Sequence, residues 1–316
     1  MIGAVEESHG LAARHHWRSL AGVAAILLAL AGCAGSGPVA TETVARPNVE
    51  SPEAVLTATE ADIEARRFQL AYQRLARLDA ASRESSRAKI ALAEVLLGLD
   101  QPREALARFE AVQSDDALRA HAWQGMGLAL MGMGDNTAAT TQLSRAVEAD
   151  PGLWRSWTAL GRAYDQEKRW SEAAAAYESG LAANPDSPII INNVGMSLLL
   201  QHRYPEAATQ FEHAVAKDPS MEMARANLRI ALAWQGRYDE ALAGLRSGMR
   251  ADSLNNVGYV AMLRGDYQDA QKYFAQALEE SATYHDGAAR NLEALKQLVK
   301  SKDTAALPQP AETPTP

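Results

Sequence analysis

The chain has one cysteine in 316 residues, Cys33, so it can form no intramolecular disulfide and no zinc site built on cysteines. Aromatic residues are sparse at 6%. After Cys33 only four histidines remain, His121, His202, His213 and His285, in separate stretches without the HxxxH or HExxH spacing of a metal site. There is no Gly-rich phosphate loop, and no serine lies in a Gly-x-Ser-x-Gly context. The net charge is −8, a poor match for a phosphate backbone. Acidic clusters such as Asp115-Asp116 and Glu279-Glu280 read as solvated helix ends. Catalysis, cofactor and metal binding, nucleic-acid binding and a small-molecule substrate are therefore all unsupported, and the expectation is a non-enzymatic protein.

What is present is a repeat. Ala71, Ala105, Ala139, Ala173, Ala207 and Ala241 recur every 34 residues, and Ala270 follows after 29. Upstream of each lies a second small position: Thr59, Ala93, Gly127, Gly161, Gly195, then Arg229 and Gly258. Glycine costs about 1 kcal/mol inside a helix, so four glycines in phase imply two helices approaching closely; Gly161 is expected to face Ala173. Large apolar residues precede the small position (Leu92, Met126, Leu160, Val194, Leu228, Val257). Others follow the alanine by one helical turn (Phe109, Leu143, Tyr177, Phe211, Leu245, Phe274). Pro151, Pro185 and Pro219 close repeats, and Gly134, Gly236 and Gly265 fall where a left-handed residue ends a first helix.

The clearest copy, Trp157, Leu160, Gly161, Tyr164, Ala173, Tyr177 and Pro185, has the spacing of a tetratricopeptide repeat (TPR). The resemblance implies an all-α, right-handed TPR solenoid of about seven helix-turn-helix repeats with a C-terminal capping helix. Such a fold presents a binding surface more often than it houses chemistry. The five-residue shortening between Ala241 and Ala270 should truncate the second helix of the sixth repeat or its link.

The N-terminus is different in kind. Arg14 and Arg18 precede an apolar run from Leu20 to Leu30, too short for a membrane span and suited to a signal peptide. It ends in Leu30-Ala31-Gly32-Cys33, which resembles a bacterial lipobox. The alternative is an ordinary secretory signal with an incidental cysteine. The lipobox implies a mature chain acylated at Cys33, and several acyl chains anchor stably where one does not. Ala34, rather than an aspartate, follows the cysteine, which points to the periplasmic face of the outer membrane. The expected organisation is a lipoprotein signal peptide at 1–32, an acylated flexible tether at 33–50, the solenoid at 51–300, and a disordered Pro-rich tail at 301–316.

In TPR proteins the first helices line the concave groove. Carried over by position, repeat four contributes Arg155, Thr158, Arg162, Asp165 and Gln166, a polar set. Repeat five contributes Asn192, Asn193, Met196, Leu199 and Leu200. Repeat six gives Met223, Asn227, Ile230 and Trp234, and repeat seven Asn255, Asn256, Tyr259, Met262 and Leu263. The C-terminal half of the groove is thus apolar, with Asn193, Asn227 and Asn256 at one height. Their amides could pair with a bound peptide backbone. The other reading is that these side chains pack against the next hairpin. The lysine and arginine set of a TPR carboxylate clamp is missing.

A narrower resemblance lies in Asn192-Asn193-Val194-Gly195, Ala224-Arg225-Ala226-Asn227-Leu228, Asn255-Asn256-Val257-Gly258-Tyr259-Val260 and Ala288-Ala289-Arg290-Asn291-Leu292. Over about 188–295 the chain resembles the TadD-like TPR lipoproteins of the tight-adherence (Flp, type IVb) pilus. That resemblance implies a pilotin-like scaffold whose groove holds a protein partner, a secretin or pilus-assembly component, with the membrane reached through the N-terminal lipid. The other readings are a general cell-envelope scaffold recruiting peptidoglycan enzymes and a helper of another secretion or export system.

Overall fold

The computed structural model describes residues 50–245, 247–281 and 286–305. Cys33, the signal segment 1–32, the tether up to Val49, and residues 306–316 lie outside them.

The described residues form seven helical hairpins and a final helix, without a strand. The first helices are α1 (Pro52–Glu64), α4 (Ser86–Gly98), α6 (Arg119–Gly132), α8 (Trp154–Gln166), α10 (Pro188–Leu200), α12 (Glu222–Trp234) and α14 (Ser247–Arg264). Their second helices are α2 (Phe68–Leu75), α5 (Pro102–Glu110), α7 (Asn136–Ala149), α9 (Trp170–Ala183), α11 (Tyr204–Lys217), α13 (Tyr238–Ala241) and α15 (Tyr267–Glu280). A single turn, α3 (Ala80–Arg83), links the first two hairpins, and α16 (Asp286–Ala305) packs on the last. Each first helix contacts its own second helix and the first helix of the next hairpin. The core is accordingly a chain of local clusters, the largest around Leu254, Val257, Phe274 and Leu295, as a quasi-one-dimensional repeat requires.

Local chemistry sets the boundaries. The hydroxyls of Ser51 and Ser85 and the carboxylate of Asp135 accept from backbone N–H groups at the starts of α1, α4 and α7. Pro102 and Pro188 occupy first-turn positions of α5 and α10, where no N–H is needed. Every hairpin turn carries one residue with positive φ, in phase with the repeat: Arg66, Asp100, Gly134, Lys168, His202, Gly236 and Gly265. The three glycines were legible as turn residues. The four others adopt the same left-handed conformation with a Cβ.

The glycines at the small positions face the large side chain one turn beyond each phased alanine: Leu143 for Gly127, and an aromatic ring for the other three. A Cβ on Gly161 would lie 2.5 Å from the Tyr177 ring, one on Gly195 2.7 Å from Phe211, and one on Gly258 2.9 Å from Phe274. Gly161 thus faces the residue four beyond Ala173, not Ala173 itself, because the large side chain reaches across the hairpin while the alanine lets the backbones close. In the sixth repeat the second helix is cut to four residues, as the shortening implied. Leu245 therefore does not repeat the role of Phe211. It sits half-buried in the loop after Gly244, which has φ +67°. Without a ring opposite, the small position of this repeat tolerates Arg229. At the C-terminus α16 runs through Ala305, five residues beyond the expected boundary at 300, because no proline interrupts it before Pro308.

Candidate functional site

Several neighbouring helices are stitched by buried or part-buried polar pairs. Ser156 Oγ donates to Gln124 Oε1 at 3.0 Å between α6 and α8. Between α8 and α10, Ser197 Oγ donates to Asp165 Oδ1 at 2.5 Å, while Tyr177 Oη donates to Asp165 Oδ2 at 2.8 Å. Asn227 Nδ2 donates to Asn192 Oδ1 at 2.9 Å between α10 and α12. Asn291 Nδ2 donates to Asn255 Oδ1 at 2.9 Å between α14 and α16. Asp165 has no cation partner among the described residues. Burial pushes its carboxyl above the usual carboxylate range, against the pull of the Ser197 and Tyr177 hydroxyls.

These pairs sort the expected groove residues. Asn227 is 9% exposed and spent on the seam, so it is a packing residue rather than a free peptide contact. Asn193 is half-buried and Asn256 exposed, and neither amide has a partner among the described residues. Leu199 packs against the Phe211 cluster, and Leu200 and Ile230 are half-buried. Trp234 stacks on Tyr204 with centroids 5.1 Å apart and planes 5° from parallel, and its carbonyl accepts from Arg264. Tyr259 and Met262 pack on the C-terminal cluster. Leu263, by contrast, is largely free, at 50% exposure.

Large apolar side chains face outward at Leu70, Tyr72, Met133 and Leu298, and a group of four, Ile189 (45%), Met196 (38%), Met223 (56%) and Leu263, falls within the expected groove repeats. These last four lie on α10, α12 and α14. Met196 and Met223 were in the expected set. Ile189 was missed, although it holds the same early place in α10 that Met223 holds in α12. Four large apolar side chains on three neighbouring first helices are suited to burying a partner's apolar face.

A second concavity was not legible in sequence. A cavity of about 560 Å³ opens among α1, α4, α6 and α8. Ile63, Ile90, Leu153 and Trp154 line it with Glu60, Glu64, Glu94, Arg87 and Arg155. Arg87 is committed to Glu60 through Nε–Oε1 at 2.6 Å and Nη2–Oε2 at 2.7 Å, and to Glu53. Desolvation raises the Glu94 carboxyl, with Arg155 opposing. Gln124, 6% exposed, lines this space with an amide nitrogen that has no partner among the described residues. Arg155 was placed in a polar groove set by repeat position. Its acidic neighbours come from hairpins in which the repeat motif is weak, and so carried no signal. Among the described residues no group of three His, Cys, Asp or Glu side chains could hold a metal.

Three tetratricopeptide-repeat family models match residues 125–188, 198–256 and 250–281. The chain is a tetratricopeptide-repeat protein, of a fold that typically serves as a non-catalytic protein-interaction scaffold. No curated protein matches it. Among solved structures, the APC/C hetero-tetramer Cut9–Hcn1 gives a TM-score of 0.62 at 17% identity over 78% of this chain and 50% of the other. Human IFIT1, solved as a dimer with m7Gppp-AAAA, gives 0.59 at 15% identity over 81% and 65%. A tetratricopeptide repeat protein of Parabacteroides merdae gives 0.52 at 13% identity over 78% and 98%. The chain thus spans half of the matched Cut9–Hcn1 chain and just under two thirds of IFIT1. At these identities the likeness is one of fold.

Proposed function

We propose that this protein is a lipid-anchored TPR scaffold on the periplasmic face of the outer membrane, acting as a pilotin for a secretin in tight-adherence pilus assembly. The observation that carries the reading is the exposed apolar row Ile189, Met196, Met223 and Leu263. It falls in the part of the chain, about 188–295, whose Asn-Asn-Val-Gly stretches resemble TadD-like lipoproteins. The lipobox ending at Cys33 supports the anchoring, and no described helix is long and apolar enough to replace it by crossing a membrane. A pilotin has to hold a partner by an apolar surface and be held to the membrane itself, and these two features supply both. The cavity near Glu94 lies outside the stretch that carries the resemblance, which favours, as a second reading, a broader envelope scaffold with another ligand.

Replacing the lipid-bearing residue, Cys33→Ser, should leave the protein unprocessed or soluble in the periplasm, with secretin multimers depleted from the outer membrane. Fractionation and secretin immunoblots check this. Outer-membrane sedimentation of Cys33→Ser with normal secretin multimers defeats the proposal. A gene deletion that spares secretin and pili but disturbs cell-wall enzymes replaces it with the scaffold reading.

A further inference from the structure

The amide pairs between first helices follow a rule. Asn192 lies three residues before the small position Gly195, and its partner Asn227 two before Arg229. Asn255, three before Gly258, likewise pairs with Asn291 of α16. At the intervening seam, between α12 and α14, the corresponding residues are Ala226 and Asn256. Ala226 has no amide to offer, and Asn256 has no partner among the described residues.

A cavity of about 30 Å³ opens where that pair is missing, lined by Ala226, Arg229, Ser253 and Asn256 between Ile230 and Val257. Arg229 is half-buried without a hydrogen bond or ion pair among the described residues, and burial pulls its pKa down from the ordinary value. The nearby carboxylate that would favour its charge, Glu222, is engaged by Arg225. Ser253 is 8% exposed, and its hydroxyl has no partner among the described residues. A half-buried guanidinium with no carboxylate of its own favours an anion beside it. Three side chains with spare hydrogen-bond donors therefore surround one small space, and no carboxylate lines it.

We infer that this broken seam is a receptor for a carboxylate, and that it takes an Asp or Glu side chain of the partner segment lying across α12 and α14. A water needs about 10–15 Å³ of such space, so the cavity admits roughly two oxygens, enough for a carboxylate and too few for a whole phosphate. Arg229 supplies the charge, and Ser253 and Asn256 supply directional donors. Exposed Met223 and Leu263, on the same two helices, cover the flanking apolar residues of that segment. The inference rests on the groove reading but not on the partner being a secretin.

The test titrates the full chain with a blocked peptide, acetyl-Leu-Asp-Leu-Leu-amide, with its asparagine counterpart, and with sodium acetate at matched ionic strength. The aspartate peptide should bind about tenfold tighter than the asparagine peptide. Arg229→Met and Ser253→Ala should each reduce that preference. Ala226→Asn should raise the thermal midpoint by completing the seam with Asn256, and should abolish the preference. Equal binding of the two peptides, no binding of either at millimolar concentration, or an unchanged preference in Arg229→Met overturns the inference. Acetate alone stabilising the chain as much as the peptide assigns the cavity to a free carboxylate and overturns the assignment to a partner side chain. An aspartate preference without secretin co-purification keeps this site and removes the pilotin reading; co-purification without the preference does the reverse.

Discussion

At the scale of single residues, the fold depends on where rings meet glycines. Alanine is a better helix former than glycine by about 1 kcal/mol, so propensity alone makes Gly161→Ala stabilising. The Tyr177 ring 2.5 Å from the added Cβ reverses the sign. A loss of about 1–3 kcal/mol is expected in denaturant unfolding, the usual range for overpacking; a gain would refute the close contact. The glycines were legible in the sequence, but Gly161 was paired with Ala173, whereas its nearest neighbour is the Tyr177 ring. Periodicity gives phase along a helix, not how far an aromatic ring reaches across a hairpin.

Asp165 gives a second test at this scale. Its pKa is raised in the folded state, mainly by burial. Its favourable contribution is therefore complete below the unfolded carboxylate pKa of about 4 and is lost as pH rises through the higher folded value. An asparagine in its place cannot titrate. The stability of wild type minus Asp165→Asn should accordingly fall as pH is raised above about 4 and then level off. Paired urea titrations across that range measure it; a difference that rises with pH contradicts the assignment. Asp62 runs the other way. It is 1% exposed, yet Arg74 and Arg67 outweigh the burial and hold its pKa below the usual range. It stabilises at neutral pH and loses its contribution as the solution is acidified.

At the scale of elements, the repeat is punctuated by its turns. Lys168 sits at φ +59° in the turn where three other hairpins place glycine. A side chain there costs about 1–2 kcal/mol of backbone strain, part of which glycine's greater freedom in the unfolded chain cancels. Lys168→Gly should thus stabilise by about 1 kcal/mol, whereas Arg162→Gly, on exposed α8 surface, should destabilise by about as much. Opposite shifts in thermal midpoint confirm the register, and a loss at both positions contradicts it. Helix order, hairpin turns and the truncated α13 could be read from spacing because each follows from one repeat's own residues. The seams could not. Whether Asn227 faces a ligand or Asn192 depends on how two hairpins rotate against each other, and that rotation has no one-dimensional signature. The same rotation stacks Trp234 on Tyr204, changing it from an expected anchor into part of the solenoid wall.

At the scale of the whole molecule, the described hairpins form one run of nearest-neighbour contacts, and their distinctive surface lies toward the C-terminal end. Buried apolar anchors commonly dominate protein interfaces. The side chains free to act as anchors are those already exposed, since Trp234 and Tyr259 support the fold as well. The most direct measurement is therefore partner co-purification from membranes with the double variant Met223→Gln/Leu263→Gln, beside wild type. Both residues are exposed, so helicity and thermal midpoint should stay within error. If the proposed pilotin role holds, the double variant should lose secretin while remaining in the membrane fraction. A folded double variant that retrieves the same partner in the same yield would contradict the claim that this face is the binding surface.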